Sequence, residues 1–161
     1  EDELVTVGQE IEYVRSYLTI QKMRYKNKFS AVIAAEDGVE GLYTIKLIVQ
    51  PILENAIYHG INGLVDEGEI RISCRADGDD ILFTVEDNGT GMEPEQVAAL
   101  LQNEPSDRTG IGVKNVNDRL RIYFGADYGI SIESAPYEGT TVTIRTPRVP
   151  EDREGDYDKN H

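Results

Sequence analysis

The chain has 161 residues, of which 39% are hydrophobic and 29% charged, and its formal net charge is −14. This composition is typical of one globular domain; no signal peptide opens the chain, and no apolar run approaches the ~20 residues that cross a bilayer. The negative charge and the lack of a basic stripe argue against a nucleic-acid partner, and a single cysteine, Cys74, excludes an internal disulfide.

The start of the chain predicts a helix followed by a short strand. Apolar residues at helical spacing predict the helix over residues 7–26, and Thr6 and Gln9 have the spacing of a capping box at its start. Alternating apolar residues then predict a strand over 29–35.

A second helix is predicted over residues 44–59, followed by a loop over 60–68. Pro51 falls in the interior of this helix. Because proline has no backbone N–H, we expect it to remove one hydrogen bond and to kink the helix.

The second half of the chain alternates between strand and helix patterns. The predicted elements are strands around 70–74 and 81–85, a short helix over 93–101, a mobile polar loop over 102–109, a helix over 112–124, a hairpin of 130–134 and 140–146, and a disordered acidic tail over 150–161. Together these elements predict an α+β fold, a two-layer α/β sandwich with a mostly antiparallel mixed sheet and helices on one face.

Asn55 is the candidate metal ligand. It lies on the second predicted helix, where its carboxamide oxygen would supply one ligand to Mg²⁺ without adding negative charge beside a phosphate. From the residue alone, a surface or capping asparagine is the more common role. The neighbouring Glu54 and Ala56, together with two glycine-rich segments later in the chain, favour the metal-binding role.

Asp87 is the candidate for recognising adenine. An ionised carboxylate only accepts hydrogen bonds, and adenine offers an exocyclic amino donor where guanine presents a carbonyl oxygen. The alternative is an aspartate that caps its own turn. Gly89 and Gly91 would let the backbone approach a flat ring, and Thr90 and Thr141 are candidate hydroxyl contacts to the base.

Gly110 and Gly112 are predicted to lie just before a helix. Backbone N–H groups at a helix start form an anion site, so we expect phosphate contacts there. Lys114 and Arg108 are candidates for additional positive charge, although each is also typical of a solvated surface. The sequence contains no P-loop motif.

Three segments carry a resemblance to a known superfamily: residues 50–60, 87–91 and 110–115. They resemble the three ATP-binding boxes of GHKL (Bergerat) proteins, which include gyrase, Hsp90, MutL and histidine kinases. The segments 17–22 (Tyr-Leu-Thr-Ile-Gln-Lys) and 50–56 (Gln-Pro-Ile-Leu-Glu-Asn-Ala) are more specific. They are similar to LytS/YesM-like sensor histidine kinases, and the resemblance covers about residues 6–147.

The resemblance implies a division of the chain and a function. Residues 1–26 would end a helical phosphoacceptor region, 27–149 would form the catalytic domain, and 150–161 would be the tail. The implied function is binding of ATP with Mg²⁺ and transfer of the γ-phosphate to a histidine for relay to a response regulator. The implied full-length protein is a homodimer and a membrane-anchored bacterial sensor, with this domain in the cytoplasm.

The phosphoacceptor histidine of that family lies in a Pro-His-Phe motif, and neither His59 nor His161 has this setting. We therefore predict that the acceptor is absent, and no residue of the chain is assigned as a certain catalytic group. His59 lies at the predicted end of a helix, where we expect it to interact favourably with the helix dipole and to pack locally.

Two other functions remain open. One is a hydrolytic GHKL ATPase, whose water-activating glutamate lies one helical turn before the asparagine; that position is Pro51 here, and Glu54 faces another direction. The other is a degenerate module that only docks to a partner, against which the complete set of predicted ATP-binding residues argues.

Overall fold

The computed structural model describes residues 4–102 and 109–149 as a succession of strands and helices. The strands are β1 (Leu4–Thr6), β2 (Phe29–Ala35), β3 (Tyr43–Ile45), β4 (Gly68–Asp77), β5 (Asp80–Asp87), β6 (Gly129–Ser134) and β7 (Thr140–Pro147). The helices are α1 (Val7–Arg24), α2 (Gln50–Asn55), α3 (Pro94–Leu101) and α4 (Thr109–Phe124). A π-helical segment, Ala56–Ile61, continues α2 without a break.

The main sheet has five strands in the order β2-β4-β5-β7-β6. Strands β2 and β4 are parallel and the other neighbouring pairs are antiparallel. The register pairs Ile72 with Val85 and Val85 with Val142, so alternate apolar residues line one face. The predicted mostly antiparallel mixed sheet is confirmed.

The helices cover this apolar face. The core between sheet and helices contains large buried side chains from both layers: Phe29, Phe83, Ile144, Ile52 and Leu120. On the opposite face, Arg71, Arg75, Glu86 and Glu133 are exposed. The predicted two-layer sandwich is therefore confirmed, because one face of the sheet is packed and the other is solvated.

Helix α1 belongs to the same core. Its capping box forms as predicted, with the Thr6 hydroxyl accepting from the Gln9 N–H at 3.1 Å. Val7, Ile11, Val14 and Leu18 are buried in the main hydrophobic cluster. The sequence analysis missed β1 and β3, which pair with each other in a separate two-stranded sheet and tie the start of the chain to residues 43–45.

The predicted helix over 44–59 is wrong at its start. Residues 43–45 form strand β3, Leu47 has a φ of 60°, and α2 begins only at Gln50. Pro51 therefore lies in the first turn, where the missing N–H breaks no intrahelical hydrogen bond, so the expected kink has no cause. At the other end the helical backbone continues beyond 59 to Ile61.

The later predicted elements form within a few residues of their expected positions, with one correction. Helix α4 begins at Thr109, so Gly110 and Gly112 lie inside its first turn and not before it. The predicted mobile loop falls mostly on residues 103–108, and the predicted tail on 150–161; both lie outside the described residues. Among the described helices, none has the length and hydropathy of a membrane span.

Candidate functional site

The turn after β5 packs directly on the π-helical segment. A Cβ added at Gly89 would lie 2.4 Å from the carbonyl carbon of Gly60, and one added at Gly91 would lie 1.9 Å from the Ala135 carbonyl oxygen. Gly91 also has a φ of 72°, which disfavours other residues. These glycines therefore permit three backbone segments to meet around Asp87.

Thr90 connects the same two segments. Its hydroxyl donates to the His59 carbonyl at 3.2 Å, and its N–H donates to the Gly60 carbonyl at 3.2 Å. The side chain of His59 is exposed. Thr90 therefore anchors the turn to the helix, a role the sequence analysis did not assign to it.

Asp87 is a largely buried carboxylate with a perturbed acidity. Burial raises its pKa to about 6, while hydrogen bonds from the backbone N–H groups of Gly89 and Thr140 act to lower the pKa. The Gly89 N–H donates to Oδ1 at 2.8 Å, so the turn-capping role is real. This hydrogen bond leaves other acceptor sites on the carboxylate, because its two oxygens offer about four.

Asn55 is the last residue of α2 and is only 6% exposed. Within the described residues, its buried Oδ1 has no hydrogen-bond partner. A buried acceptor without a partner costs about 1–3 kcal/mol and needs an explanation, and a ligand or ion is one such explanation. Among the described residues the Thr44 hydroxyl is also buried without a partner, so the case for Asn55 rests on its position as well. The Asn55 oxygen fits the ligand that Mg²⁺ requires.

The metal would need few other protein ligands. The described residues contain no group of three or more His, Cys, Asp or Glu side chains that could hold a metal ion. Mg²⁺ commonly takes one or two protein ligands and completes its shell with water and phosphate oxygens. A lone amide oxygen on a helix that packs against α4 is compatible with that pattern.

The continuous helix from α2 into the π segment places these groups in a row. Pro51 contacts α4, since a Cβ added at Gly112 would lie 3.2 Å from the Pro51 Cβ. Asn55 follows one α-helical turn later on the same face, and Gly60 follows one π-helical turn after that. A Cβ at Gly60 would lie 2.9 Å from Oδ1 of Asp87.

The helical stretch from Pro51, beside Gly112, to Gly60, beside Asp87, is roughly 13 Å long at a rise of ~1.5 Å per residue. Gly112, Asn55 and Asp87 therefore form a row of about this length. A carboxylate stands at one end, an unpartnered amide oxygen in the middle, and the first turn of α4 at the other end. The first N–H groups of a helix have no partner within the helix, so the first turn of α4, which includes Gly110 and Gly112, is a place where an anion can bind.

The surroundings of Lys114 and Thr141 bear on their predicted contacts, which remain predictions. Lys114 forms an ion pair with Asp118 one turn along α4, so its charge is partly neutralised within the helix. Thr141 pairs with Glu86 and Glu133, on the exposed face of the sheet, away from the helices.

Thr140 is the threonine on the side of Asp87. It pairs with Asp87 across β5 and β7, and it is buried at 8% exposure. Because side chains alternate between faces, a shift of one residue moves the hydroxyl from one face of the sheet to the other. The Thr140 hydroxyl also lies 2.8 Å from the Ser134 hydroxyl.

Glu10 is a functional candidate that the sequence analysis missed. It is 1% exposed and its carboxylate accepts three backbone N–H groups just before α2. Burial raises its pKa, while those hydrogen bonds and the nearby charge of Arg119 act to lower the pKa. The available signal was a glutamate on the apolar face of α1, between Val7 and Val14.

The sequence signature of the family described as histidine kinase-, DNA gyrase B-, and HSP90-like ATPase matches residues 43–150. The chain is 37% identical over 145 residues to the sensor histidine kinase BtsS of Escherichia coli K12, covering 90% of this chain and 24% of that protein. It is 32% identical over 145 residues to the sensor histidine kinase YesM of Bacillus subtilis 168, with the same coverage of 90% and 24%. The chain thus spans about a quarter of the length of these relatives.

A solved structure supports the fold. Histidine kinase ThkA in complex with the response regulator protein TrrA matches with a TM-score of 0.67 and 16% identity, over 94% of this chain and 43% of that one. The resemblance to LytS/YesM-like sensor kinases is confirmed by the named relatives, and the GHKL assignment by the family match over residues 43–150, with which the structural match agrees.

Proposed function

Because the chain belongs to the family of histidine kinase-, DNA gyrase B-, and HSP90-like ATPases, we propose that it is the ATP-binding catalytic domain of a sensor histidine kinase. In this proposal it positions Mg·ATP so that the γ-phosphate passes to a histidine outside these 161 residues. The observation that carries the proposal is the unpartnered Oδ1 of Asn55, set between the Asp87 carboxylate and the first turn of α4.

Asp87 selects the base in this proposal. Its carboxylate accepts from the adenine amino group, and the carbonyl oxygen of guanine would meet the same carboxylate as a repulsive pair of acceptors. Thr140, across the β5–β7 register, is the hydroxyl that lies on the same side of the sheet.

Asn55 and the first turn of α4 hold the phosphate end. Asn55 would hold Mg²⁺, which when bound would supply positive charge to balance the charge on the phosphates. The Asn55 oxygen orients the ion, and the N–H groups around Gly110 and Gly112 cradle the phosphates. Lys114 adds positive charge that attracts the phosphates, although it is also paired with Asp118.

Geometry disfavours the hydrolytic alternative. The residue one helical turn before Asn55 is Pro51, whose ring packs near Gly112 and has no group that accepts a proton. Glu54 is exposed and near Tyr17 of α1, because the pKa of Tyr17 is raised to about 12 first by burial and then by the charge of Glu54. Neither residue can activate a water molecule beside Asn55.

The phosphoacceptor is expected on another part of the full-length protein. His59 lies next to Gly60, at the end of the row that holds the base and away from the phosphate end. We propose that the acceptor belongs to an upstream helical region, that the full-length kinase is a membrane-anchored homodimer with this domain in the cytoplasm, and that a response regulator receives the phosphate. The names of the relatives and the solved ThkA–TrrA complex support a kinase–regulator pair.

Calorimetric titration tests the nucleotide assignment directly. We expect the chain to bind Mg·ATP and to bind Mg·GTP at least tenfold more weakly, because one misplaced acceptor beside a buried charge costs about 1–3 kcal/mol or more. Equal affinities for the two nucleotides would overturn the assignment of Asp87. No binding of either would instead favour the degenerate docking module.

A further inference from the structure

Glu10 connects helix α1 to the segment that begins α2. The N–H of Leu47 donates to one carboxylate oxygen at 2.8 Å, and the N–H groups of Ile48 and Val49 donate to the other at 2.8 and 3.1 Å. The carboxylate is fully enclosed, since Glu10 is 1% exposed and Ile48 and Val49 are completely buried. All three donors belong to consecutive residues, so the carboxylate defines the path of that backbone.

Helix α2 has no cap of its own. Val49 occupies its N-cap position, and its side chain cannot accept a hydrogen bond from the first turn. Its carbonyl accepts from the N–H groups of Ile52 and Leu53, both at 3.0 Å, while its own N–H donates to Glu10. A negatively charged group at this end also complements the helix dipole.

The backbone in front of α2 is in a conformation that needs such support. Leu47 has a φ of 60°, a left-handed conformation that a leucine rarely adopts, and its side chain is 39% exposed and so packs little. On the other side of this segment, Arg119 of α4 donates to the Lys46 carbonyl at 3.0 Å. Residues 46–49 are therefore held from α1 and from α4 together.

We propose that Glu10 is a positioning residue for the metal end of the nucleotide site. Its carboxylate sets where α2 begins, and α2 is short and continuous from Val49 to Asn55. A shift at Val49 is therefore carried to the Asn55 amide oxygen and to the Pro51–Gly112 contact. The base end has further anchors of its own, since Thr90 donates to the carbonyls of His59 and Gly60, so we expect a shift at Val49 to disturb it less than the metal end.

This inference rests on the proposed function and has a consequence for coupling. Glu10 links helix α1 to the backbone just before α2, which carries Asn55. We therefore expect a displacement or rotation of α1 to change the affinity for Mg·ATP more than recognition of the base. A movement imposed on the start of this chain would therefore act on Mg·ATP first.

The test compares two affinities in each protein: Mg·ATP, and ADP in the presence of EDTA. Glu10→Gln keeps the shape of the side chain but replaces one accepting oxygen by a donor, so at least one of the three N–H groups loses its acceptor. We expect the affinity for Mg·ATP to fall about tenfold, the lower end of the usual effect of residues that orient a metal ligand. The affinity for metal-free ADP should stay within about twofold of wild type.

Three further variants complete the design. Glu12→Gln removes one charge from the exposed side of α1, where Glu12 pairs with Arg15 at 3.5 Å, and should change neither affinity. Asn55→Ala should reproduce the selective loss seen with Glu10→Gln. Glu10→Asp keeps the carboxylate on a shorter side chain and should bind Mg·ATP more tightly than Glu10→Gln does. If Glu10→Gln fails to fold, the two affinities of Glu10→Asp test the positioning role instead.

The outcomes separate this inference from the proposed function. Wild-type binding with no change in either Glu10 variant would overturn the positioning role alone. A parallel loss of both affinities would also overturn it, since that result indicates general destabilisation. A wild-type chain that binds neither nucleotide would overturn the proposed function, and the positioning role with it.

Discussion

Substitution of Asp87 by asparagine should move stability and nucleotide affinity in opposite directions. Burial raises the pKa of Asp87 from 3.8 to about 6. The difference of roughly two units corresponds to about 3 kcal/mol at ~1.36 kcal/mol per unit. The native state therefore holds this proton more tightly than the unfolded chain, and keeping the carboxylate ionised in the fold costs that amount.

The sign of the pH dependence follows from this shift. Between pH 3.8 and about 6 the native state binds more protons than the unfolded state at Asp87, so its contribution to the free energy of unfolding falls as the pH rises. Above that range the full cost is present. The asparagine in Asp87→Asn does not titrate. Without nucleotide, the free energy of unfolding of this variant should therefore exceed that of wild type by up to about 3 kcal/mol at pH 8, and the difference should vanish below pH 4.

Thermal unfolding of the nucleotide-free proteins at pH 4 and pH 8, together with calorimetric titration of Mg·ATP at pH 8, measures both effects. ATP affinity should fall at least tenfold, because the carboxamide replaces one accepting oxygen by a donor facing the adenine amino group. The exposed Asp37→Asn is the matched control for loss of one charge and should change neither property. A variant less stable than wild type at pH 8, or one with unchanged ATP affinity, would refute the reasoning.

Four further predictions concern the turn, the threonines, the loop and phosphate transfer. Gly89→Ala should lower the free energy of unfolding by about 1–3 kcal/mol, because its Cβ would lie 2.4 Å from the facing backbone, whereas Gly41→Ala, in open space, should be tolerated in the same melts. Thr140→Val should weaken Mg·ATP binding and Thr141→Val should not; equal effects in calorimetry would show that the sheet face does not decide the contact. If the mobile loop predicted from the sequence over residues 102–109 contacts the nucleotide, an ATP analogue should increase its protection from hydrogen exchange, and unchanged exchange would contradict that contact. The chain alone should not label itself with radioactive ATP; adding the missing helical region should produce an acid-labile, base-stable phosphate, and labelling without that region would contradict the division of roles.

Local pattern was sufficient for most of the fold. The alternation at Ile70, Ile72 and Cys74 predicted a half-buried strand, and the structure places these residues on the packed face of β4. The capping box at Thr6 and the end of α4 at Phe124 were also predicted correctly. Each of these signals depends on residues a few positions apart, which is the range in which sequence periodicity is informative.

The errors arose where distant segments decide the local conformation. Strand β3 forms because β1 supplies its partner, nearly forty residues earlier in the chain, and this pairing overrides a helical pattern at 44–49. Thr140 and Thr141 are indistinguishable as hydroxyl residues, and only the register of β7 against β5 shows which one lies on the side of Asp87. Register is a property of the sheet and not of either residue.

The sequence by itself determined which chemical groups are available: one carboxylate before a glycine turn, one carboxamide on a helix, and a glycine-containing helix start. The tertiary structure decided how they are arranged, because a π-helical turn after Asn55 brings Gly60 beneath Asp87, and Pro51 meets α4 at the other end of the same helix. It also decided that Glu10 is buried against three N–H groups, which made a helix-face glutamate into part of the site. Contacts between segments 37 to 39 residues apart carry no local periodicity, so only packing could reveal them.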